Sequence, residues 1–211
     1  MARLGVAIIE GLQNAGIAAC GKHFPGHGDT IVDSHHDLPI VEHDPARLRA
    51  VEFVPFRAAI EAGVASLMSC HVLVPAIDEL QPGTLSPALV QGLLRDELGW
   101  DGLVFTDDME MKAIAARMPV PDACVAAVAA GCDAVLVCSG NHDLQFATIE
   151  ALIRAVENGT LPYARVEQAL GRQRRAKERF LGPRDARRPR LDQVLATEAH
   201  QAVAAEMARH A

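Results

Sequence analysis

The chain has 211 residues, half of them hydrophobic, and a formal net charge of −7. This composition predicts a folded globular chain with a substantial core and excludes a wholly disordered one. The acidic balance, with a pI near 5.7, argues against nucleic-acid binding, because phosphate recognition requires concentrated Lys and Arg. The one basic cluster, Arg172 to Arg190, is interpreted as the solvated face of a helix and a linker.

Two further features of the composition concern the compartment. The five cysteines match no metal-site spacing, so we expect buried free thiols in a reducing compartment and hence a cytoplasmic chain. The first residues, MARLGVAIIEG, form an apolar run that Glu10 interrupts, which is too short for a signal sequence or a membrane span. We therefore expect neither a membrane nor a nucleic acid as partner.

Helices and short apolar strands are predicted to alternate along the chain. Periodicity and end signals give helices over 4–15, 45–63, 86–98, 120–130, 163–180 and 191–209, with strands over 17–20, 65–69, 103–105 and 134–138. Ser86 and Pro87 mark a helix start, and Gly99 and Gly131 mark helix ends. Four strand-then-helix units result.

The fold class follows from the character of these strands. Each is short, uniformly apolar and separated from the next by a helix, which is typical of parallel strands covered on both faces. This pattern predicts an α/β fold of the (β/α)8 barrel type. A complete barrel takes about 250 residues, so only about the last four β/α units are expected here, followed by carboxyl-terminal helices.

Polar side chains cluster where two predicted strands end. The run from Lys22 to His35, KHFPGHGDTIVDSH, crowds titratable residues and turn formers after the first strand, and Thr106, Asp107 and Asp108 follow the third. In barrels of this class the loops after the strands form the active-site face. Both clusters are therefore candidate catalytic groups.

Four segments together resemble a known enzyme family. KHFPGHGDTIVDSHHDLP, MSCHV, LRDELGWDGLVFTDDMEM and AAGCDAVLVCS occur in the order found in the carboxyl-terminal half of the catalytic barrel of family 3 glycoside hydrolases, in the bacterial β-N-acetylglucosaminidase (NagZ-like) branch. The resemblance implies a partial catalytic domain over residues 1–182. Residues 183–211 are similar to the linker and helix that lead to a second domain in longer members.

The resemblance assigns the nucleophile of a retaining glycosidase to Asp107. Adjacent residues of a strand face opposite sides, so Asp108 is expected to point away and to hydrogen-bond the scaffold. Judged from spacing alone, the two carboxylates could equally cap the next helix, because Asp favours helix amino termini.

The resemblance also assigns the proton donor to a histidine. His35 is the implied acid/base, and Asp33 would hold its tautomer and stabilise its protonated form. Lys22 and His23 are expected to hydrogen-bond sugar hydroxyls. His71 is expected on the same face, although a histidine at a strand end is about as often a structural donor.

A metal site is the alternative interpretation of the polar residues after the first strand. His23, His27, Asp29, His35 and His36 include zinc-type ligands, but their spacing matches no zinc motif, so we expect neither a metal nor another cofactor.

Three functions remain open at this point. The first is hydrolysis of terminal β-linked N-acetylglucosamine through a glycosyl-Asp intermediate, in peptidoglycan and muropeptide turnover. The second is a phosphorylase that uses the same residues, since a histidine acid/base leaves less negative charge to repel phosphate. The third is a catalytically silent half-barrel, which would expose sheet edges and invite self-association.

Overall fold

A parallel four-stranded sheet organises the chain. The computed structural model describes residues 1–30, 34, 37–182 and 195–209. Within these ranges the strands are β1 (Cys20–Phe24), β2 (Ser66–Ser69), β3 (Leu103–Asp108) and β4 (Ala134–Leu136). All neighbouring pairs are parallel, in the order β1-β2-β3-β4. This topology confirms the predicted α/β class, with four consecutive strands of the barrel type.

Helices connect and cover these strands. They are α1 (Ala2–Asn14), α2 (Pro45–Ala50), α3 (Val54–Glu61), a short 3₁₀ helix (Gly83–Leu85), a π-helix (Ala88–Glu97), α4 (Lys112–Ala115), α5 (Val120–Ala130), α6 (His142–Glu157), α7 (Tyr163–Phe180) and α8 (Glu198–Arg209). The chain forms two compact units, Met1–Phe180 and Leu181–Ala211. The second unit contains α8, whose side chains are exposed. None of the described helices is both long and apolar enough to cross a membrane.

Local sequence explains several helix ends. The Ser86 hydroxyl accepts a hydrogen bond from the Leu89 N–H, as a residue that caps a helix start does. Asp44 and Asn141 accept in the same way at the starts of α2 and α6. Gly131 ends α5 with a φ of 125°, a conformation that favours glycine. The predicted helix over 45–63 is two helices, because the chain breaks at 51–53, just before Pro55.

The first strand differs most from its prediction. It runs over Cys20–Phe24 instead of 17–20, so Lys22 and His23 lie in the strand and not in the loop after it. The prediction followed the apolar residues 17–20 and therefore placed the strand too early, because β1 carries polar side chains at its carboxyl end. Gly21 faces Leu67 on β2 so closely that a Cβ would lie 2.8 Å from a leucine methyl carbon.

The core lies between the sheet and the helices. Phe24, Leu67 and Val104 join it from β1, β2 and β3, and Phe53 and Leu89 join it from the segments between the strands. The Phe24 ring packs edge-on against Phe56 at 5.3 Å. This packing supports the carboxyl end of β1, where Lys22 and His23 lie.

Three arginines bind one buried carboxylate at the amino end of β4. Asp133 is buried and accepts from Arg95 at 2.7 Å, Arg165 at 2.8 Å and Arg172 at 3.1 Å. Arg172 is only 14% exposed, so the interpretation of the basic cluster as fully solvated is wrong at this residue. Its ion pair with Asp133 holds α7 against the sheet.

The cysteines are free, as predicted, but not all buried. Cys70, Cys124 and Cys132 are buried, whereas Cys20 and Cys138 are exposed. The exposed pair lies at a strand start and in a loop, where apolar content does not imply burial. The expectation of buried thiols is therefore wrong for these two.

Candidate active site at the carboxyl ends of the strands

Asp107 lies near the carboxyl end of β3 and faces the end of β1. Its Oδ2 lies 3.5 Å from Nε2 of His23, and the two side chains are 22% and 28% exposed. Its Oδ1 accepts a hydrogen bond of 2.8 Å from the Asp108 N–H. The carboxylate is thus oriented by the protein yet still reachable by a small molecule.

Asp108 turns towards the scaffold, as alternation along a strand predicts. Its Oδ1 accepts hydrogen bonds from the N–H groups of Glu110 at 3.2 Å and Cys138 at 3.3 Å. These bonds join the end of β3 to the segment after β4. Of the two adjacent carboxylates, Asp108 is therefore held by the scaffold, and Asp107 is the one that faces the end of β1.

Lys22 and His23 sit side by side at the end of β1. Lys22 is exposed and His23 is partly buried, so the strand presents one ammonium and one imidazole at this end. The Lys22–His23 and Phe24–Pro25 peptide bonds are both cis. The ring of His23 also lies 6.4 Å from that of His27, edge to face.

His71 lies beneath this face and not on it. Its side chain is fully buried, with Nδ1 2.8 Å from the Thr84 hydroxyl and Nε2 3.0 Å from the Asp108 carbonyl oxygen. Burial lowers the pKa of His71 below its usual range. With both ring nitrogens occupied by protein groups, His71 has the structural role that the sequence left open, and no free atom for a sugar contact.

His27 stabilises the loop after β1 through hydrogen bonds to two hydroxyl groups. Nδ1 of His27 lies 2.8 Å from the Thr30 hydroxyl, and its Nε2 lies 3.0 Å from the Ser34 hydroxyl. Ser34 is buried, and its carbonyl oxygen accepts from the Ala113 N–H of α4 at 3.4 Å. Ser34 therefore ties this loop to the segment that follows Asp107.

The predicted acid/base pair, Asp33 and His35, lies outside the described residues, as does His36. Their covalent neighbour Ser34 is described, and it lies between them in sequence.

The histidines weighed as metal ligands contact different partners. Among the described residues, the group with metal-ligand spacing is Asp29, His43 and Glu52, whose ligand atoms lie within 4.8 Å of one another. The guanidinium of Arg47 lies 3.6 Å from Asp29 and 3.2 Å from Glu52, so these carboxylates already face a positive charge. Of the histidines considered as metal ligands from the sequence, His23 faces Asp107, and His27 faces Thr30 and Ser34.

Sequence reasoning missed His43 and Glu110 at this end of the sheet. His43 binds Asp29 at 2.7 Å, and Glu110 accepts from the Ser139 N–H at 2.8 Å. Hydrogen bonding from Ser139 lowers the pKa of Glu110. Both residues support loops from a distance along the chain, and no local motif marks such long-range contacts.

Comparison with known proteins identifies the architecture around this site. The model of the N-terminal domain of glycosyl hydrolase family 3 matches residues 1–176. A β-hexosaminidase of Thiobacillus denitrificans is 45% identical over 140 residues, which cover 66% of this chain and 38% of the relative. A β-hexosaminidase of Alkalilimnicola ehrlichii is 44% identical over 134 residues, covering 64% and 38%.

Solved structures agree with these sequence matches. A family 3 β-N-acetylglucosaminidase from Paenibacillus sp. str. FPU-7 superposes with a TM-score of 0.90 at 44% identity, covering 96% of this chain and 39% of that one. The β-glucoside phosphorylase BglX superposes with a TM-score of 0.87 at 26% identity, covering 98% and 39%. The chain thus spans less than half the length of these proteins.

Proposed function

Because the chain belongs to glycosyl hydrolase family 3, we propose that it carries the nucleophile and the acid/base of a retaining β-N-acetylhexosaminidase. The observation that carries the proposal is the partly exposed carboxylate of Asp107 at the carboxyl end of β3, 3.5 Å from His23. A retaining glycosidase needs one carboxylate below the anomeric carbon and one proton donor beside the glycosidic oxygen.

In the first step, an oxygen of Asp107 attacks the anomeric carbon and forms a glycosyl ester. The electron pair of the glycosidic bond leaves with the aglycone oxygen, which takes a proton from His35. In the second step, neutral His35 takes a proton from water as the water oxygen attacks the same carbon. The ester bond breaks and Asp107 returns to its carboxylate form.

Asp33 is the residue that makes His35 an effective acid in this scheme. A carboxylate near the imidazole favours one tautomer and stabilises the protonated ring, so that the donor works near neutral pH. In this scheme Lys22, whose side chain is exposed, and His23, which is partly buried, hydrogen-bond hydroxyls of the bound sugar.

We assign the substrate as a terminal, non-reducing β-linked N-acetylglucosamine residue, with muropeptides from peptidoglycan turnover as the natural source. The β-hexosaminidases of bacteria among the relatives support this class of substrate. Five free cysteines support a reducing, cytoplasmic setting.

The test is the dependence of the rate on the leaving group in His35→Ala and Asp33→Ala. An activated dinitrophenyl N-acetylglucosaminide departs without a proton, whereas an unactivated disaccharide does not. We expect about 10²-fold slowing or more for the disaccharide and much less for the activated aryl glycoside. His36→Ala is the matched control and should match wild type on both substrates. Equal slowing of both substrates by His35→Ala would remove the acid role.

A phosphorylase is the second candidate, and the similarity to BglX favours it. Phosphate would replace water in the second step, and the product would be a sugar 1-phosphate. Product analysis in phosphate buffer, with the same reaction in a phosphate-free buffer as control, separates the two. Free N-acetylglucosamine in both buffers excludes phosphorolysis.

The third candidate is a chain that is silent by itself. It spans 38% to 39% of its relatives, and the resemblance implies an acidic and an arginine contact from strands that these residues do not supply. Purified chain that does not cleave an activated aryl N-acetylglucosaminide, whether monomeric or self-associated, would support this candidate.

A further inference from the structure

A buried row of side chains connects the end of β2 with the end of β3. The Ser69 and Thr84 hydroxyls lie 2.8 Å apart, Nδ1 of His71 lies 2.8 Å from Thr84, and Nε2 of His71 lies 3.0 Å from the Asp108 carbonyl oxygen. The Cys132 thiol lies at the far end, 3.9 Å from Ser69. Each of these four side chains belongs to a residue that is at most 2% exposed.

The last acceptor fixes the direction of every hydrogen bond in this row. A backbone carbonyl can only accept, so Nε2 of His71 carries the proton. Because burial keeps the ring neutral, Nδ1 must accept, and the Thr84 hydroxyl therefore donates to it. Ser69 then donates to Thr84. The structure thus requires the Nε2–H tautomer of His71.

Asp108 connects this row to the nucleophile. Its carbonyl oxygen accepts from His71, while its N–H donates to Oδ1 of Asp107 at 2.8 Å. The two peptide groups flank one Cα atom, so fixing the carbonyl restrains the φ and ψ angles that aim the N–H. The orientation of the Asp107 carboxylate therefore depends on the bond from His71.

We propose that His71 is a positioning residue that holds the Asp107 carboxylate in its attacking orientation through the backbone of Asp108. The proposal rests on the proposed function, because it treats Asp107 as the nucleophile. It differs from the sugar contact that sequence suggested for His71: the imidazole touches no substrate and acts from below the site.

The kinetic test compares two substitutions at His71. His71→Phe keeps a planar ring but removes both hydrogen bonds, whereas His71→Gln keeps an N–H that can reach the carbonyl. We expect His71→Phe to lower kcat by about 10²-fold, the scale of a small misplacement of a reacting group, with KM nearly unchanged. His71→Gln should lower kcat by no more than about tenfold. The loss should be equal for activated and unactivated leaving groups, unlike that of His35→Ala.

Two further variants separate positioning from folding. Thr84→Val removes the donor to Nδ1 but keeps the bond to Asp108, so its kcat should fall less than that of His71→Phe even where its melting temperature falls as much. The matched control is His200→Phe on the exposed helix α8, which should match wild type. A kcat loss that follows melting temperature across all variants would overturn the proposal.

NMR supplies a readout that needs no turnover. The ¹⁵N shifts of His71 should show the neutral Nε2–H tautomer, and His71→Phe should move the ¹³C resonance of the Asp107 carboxyl while His71→Gln leaves it near its wild-type position. The Nδ1–H tautomer, or an unmoved resonance in His71→Phe, contradicts the proposal. If the wild-type chain shows no turnover, that result contradicts the proposed function and not the role of His71. The ¹⁵N shifts of His71 and the ¹³C resonance of Asp107 then test the role of His71 by themselves.

Discussion

Nε2 of His23 lies 3.5 Å from the carboxylate of Asp107, across the ends of two strands that do not pair with each other. β2 lies between β1 and β3, so the two side chains reach over it. The candidate nucleophile and the candidate sugar contact are therefore brought together by the order of strands and not by closeness in sequence.

The first prediction separates the two adjacent carboxylates. Asp107→Asn removes the nucleophile, and we expect kcat on an aryl N-acetylglucosaminide to fall by about 10³-fold or more with an unchanged melting temperature. Asp108→Ala should instead lower the melting temperature, because it removes the acceptor of the Glu110 and Cys138 N–H groups. The reverse outcome, an active Asp107→Asn enzyme, would assign the nucleophile elsewhere.

The second prediction concerns the buried carboxylate Asp133. Asp133→Asn leaves Arg95, Arg165 and Arg172 without their shared counter-charge, and removing one partner of a buried ion pair costs about 3–5 kcal/mol. Urea unfolding should measure this loss in the free energy of unfolding. The control, Glu150→Gln, breaks an exposed pair with Arg154 and should change it by about 0.5 kcal/mol or less. Similar losses for both variants would contradict a special role for Asp133.

The third prediction concerns stability at alkaline pH. Burial raises the pKa of Cys132 and of Cys124 to about 12. Since the folded pKa is the higher one, the contribution of each thiol is complete below about pH 9 and is lost as pH rises from 9 towards 12. Each thiol should lower the free energy of unfolding by on the order of 1 kcal/mol at pH 10.

Urea unfolding at pH 7 and pH 10 tests this. Between pH 7 and pH 10 the free energy of unfolding should fall by that much less in Cys132→Ala than in wild type. The packing that Cys132→Ala loses is the same at both pH values, so it does not affect this comparison. Other groups titrate in the same window, so the comparison of variant with wild type carries the result. An identical pH difference in both proteins would show that Cys132 ionises freely.

The fourth prediction concerns the open sides of the sheet. α1 exposes Leu4, Ile8 and Leu12 on one face, and α6 exposes Phe146 and Ile149. Because β1 and β4 are the outer strands, we expect these apolar faces to drive concentration-dependent self-association of the isolated chain.

Light scattering after size exclusion measures this association. Ile8→Lys should shift the chain towards monomer. Ala7→Lys adds the same charge on an exposed part of α1 beside the apolar face, and it should leave the association unchanged. A monomer at all concentrations in wild type would show that these faces do not associate.

Local pattern predicted all four strands and most of the helices between them, but it missed α6, over His142–Glu157. The predicted and observed bounds of α5 and α7 are the same, and Ser86 caps its helix as expected. The prediction failed at β1, where Lys22 and His23 lie in a strand. A strand end in an active site is selected for polar side chains, and apolar content therefore places it too early.

The roles of buried polar residues were beyond reach of the sequence. The position of His71 after β2 suggested a surface contact, yet its partners Thr84 and Asp108 are 13 and 37 residues away. Arg172 looked like a solvated residue because its neighbours are basic, but it binds Asp133, 39 residues away. Such pairings depend on three-dimensional packing that no local period reports.

The arginine cluster around Asp133 has a practical consequence for protein engineering. Asp133 accepts from the Val104 N–H near the start of β3, and Asp107 follows three residues later, about 10 Å along the strand. The cluster around Asp133 and the carboxylate of Asp107 thus lie at opposite ends of the same strand. A library that randomises the surroundings of Asp133 can tune robustness separately, and active-site variants that lose stability can be rescued from that end.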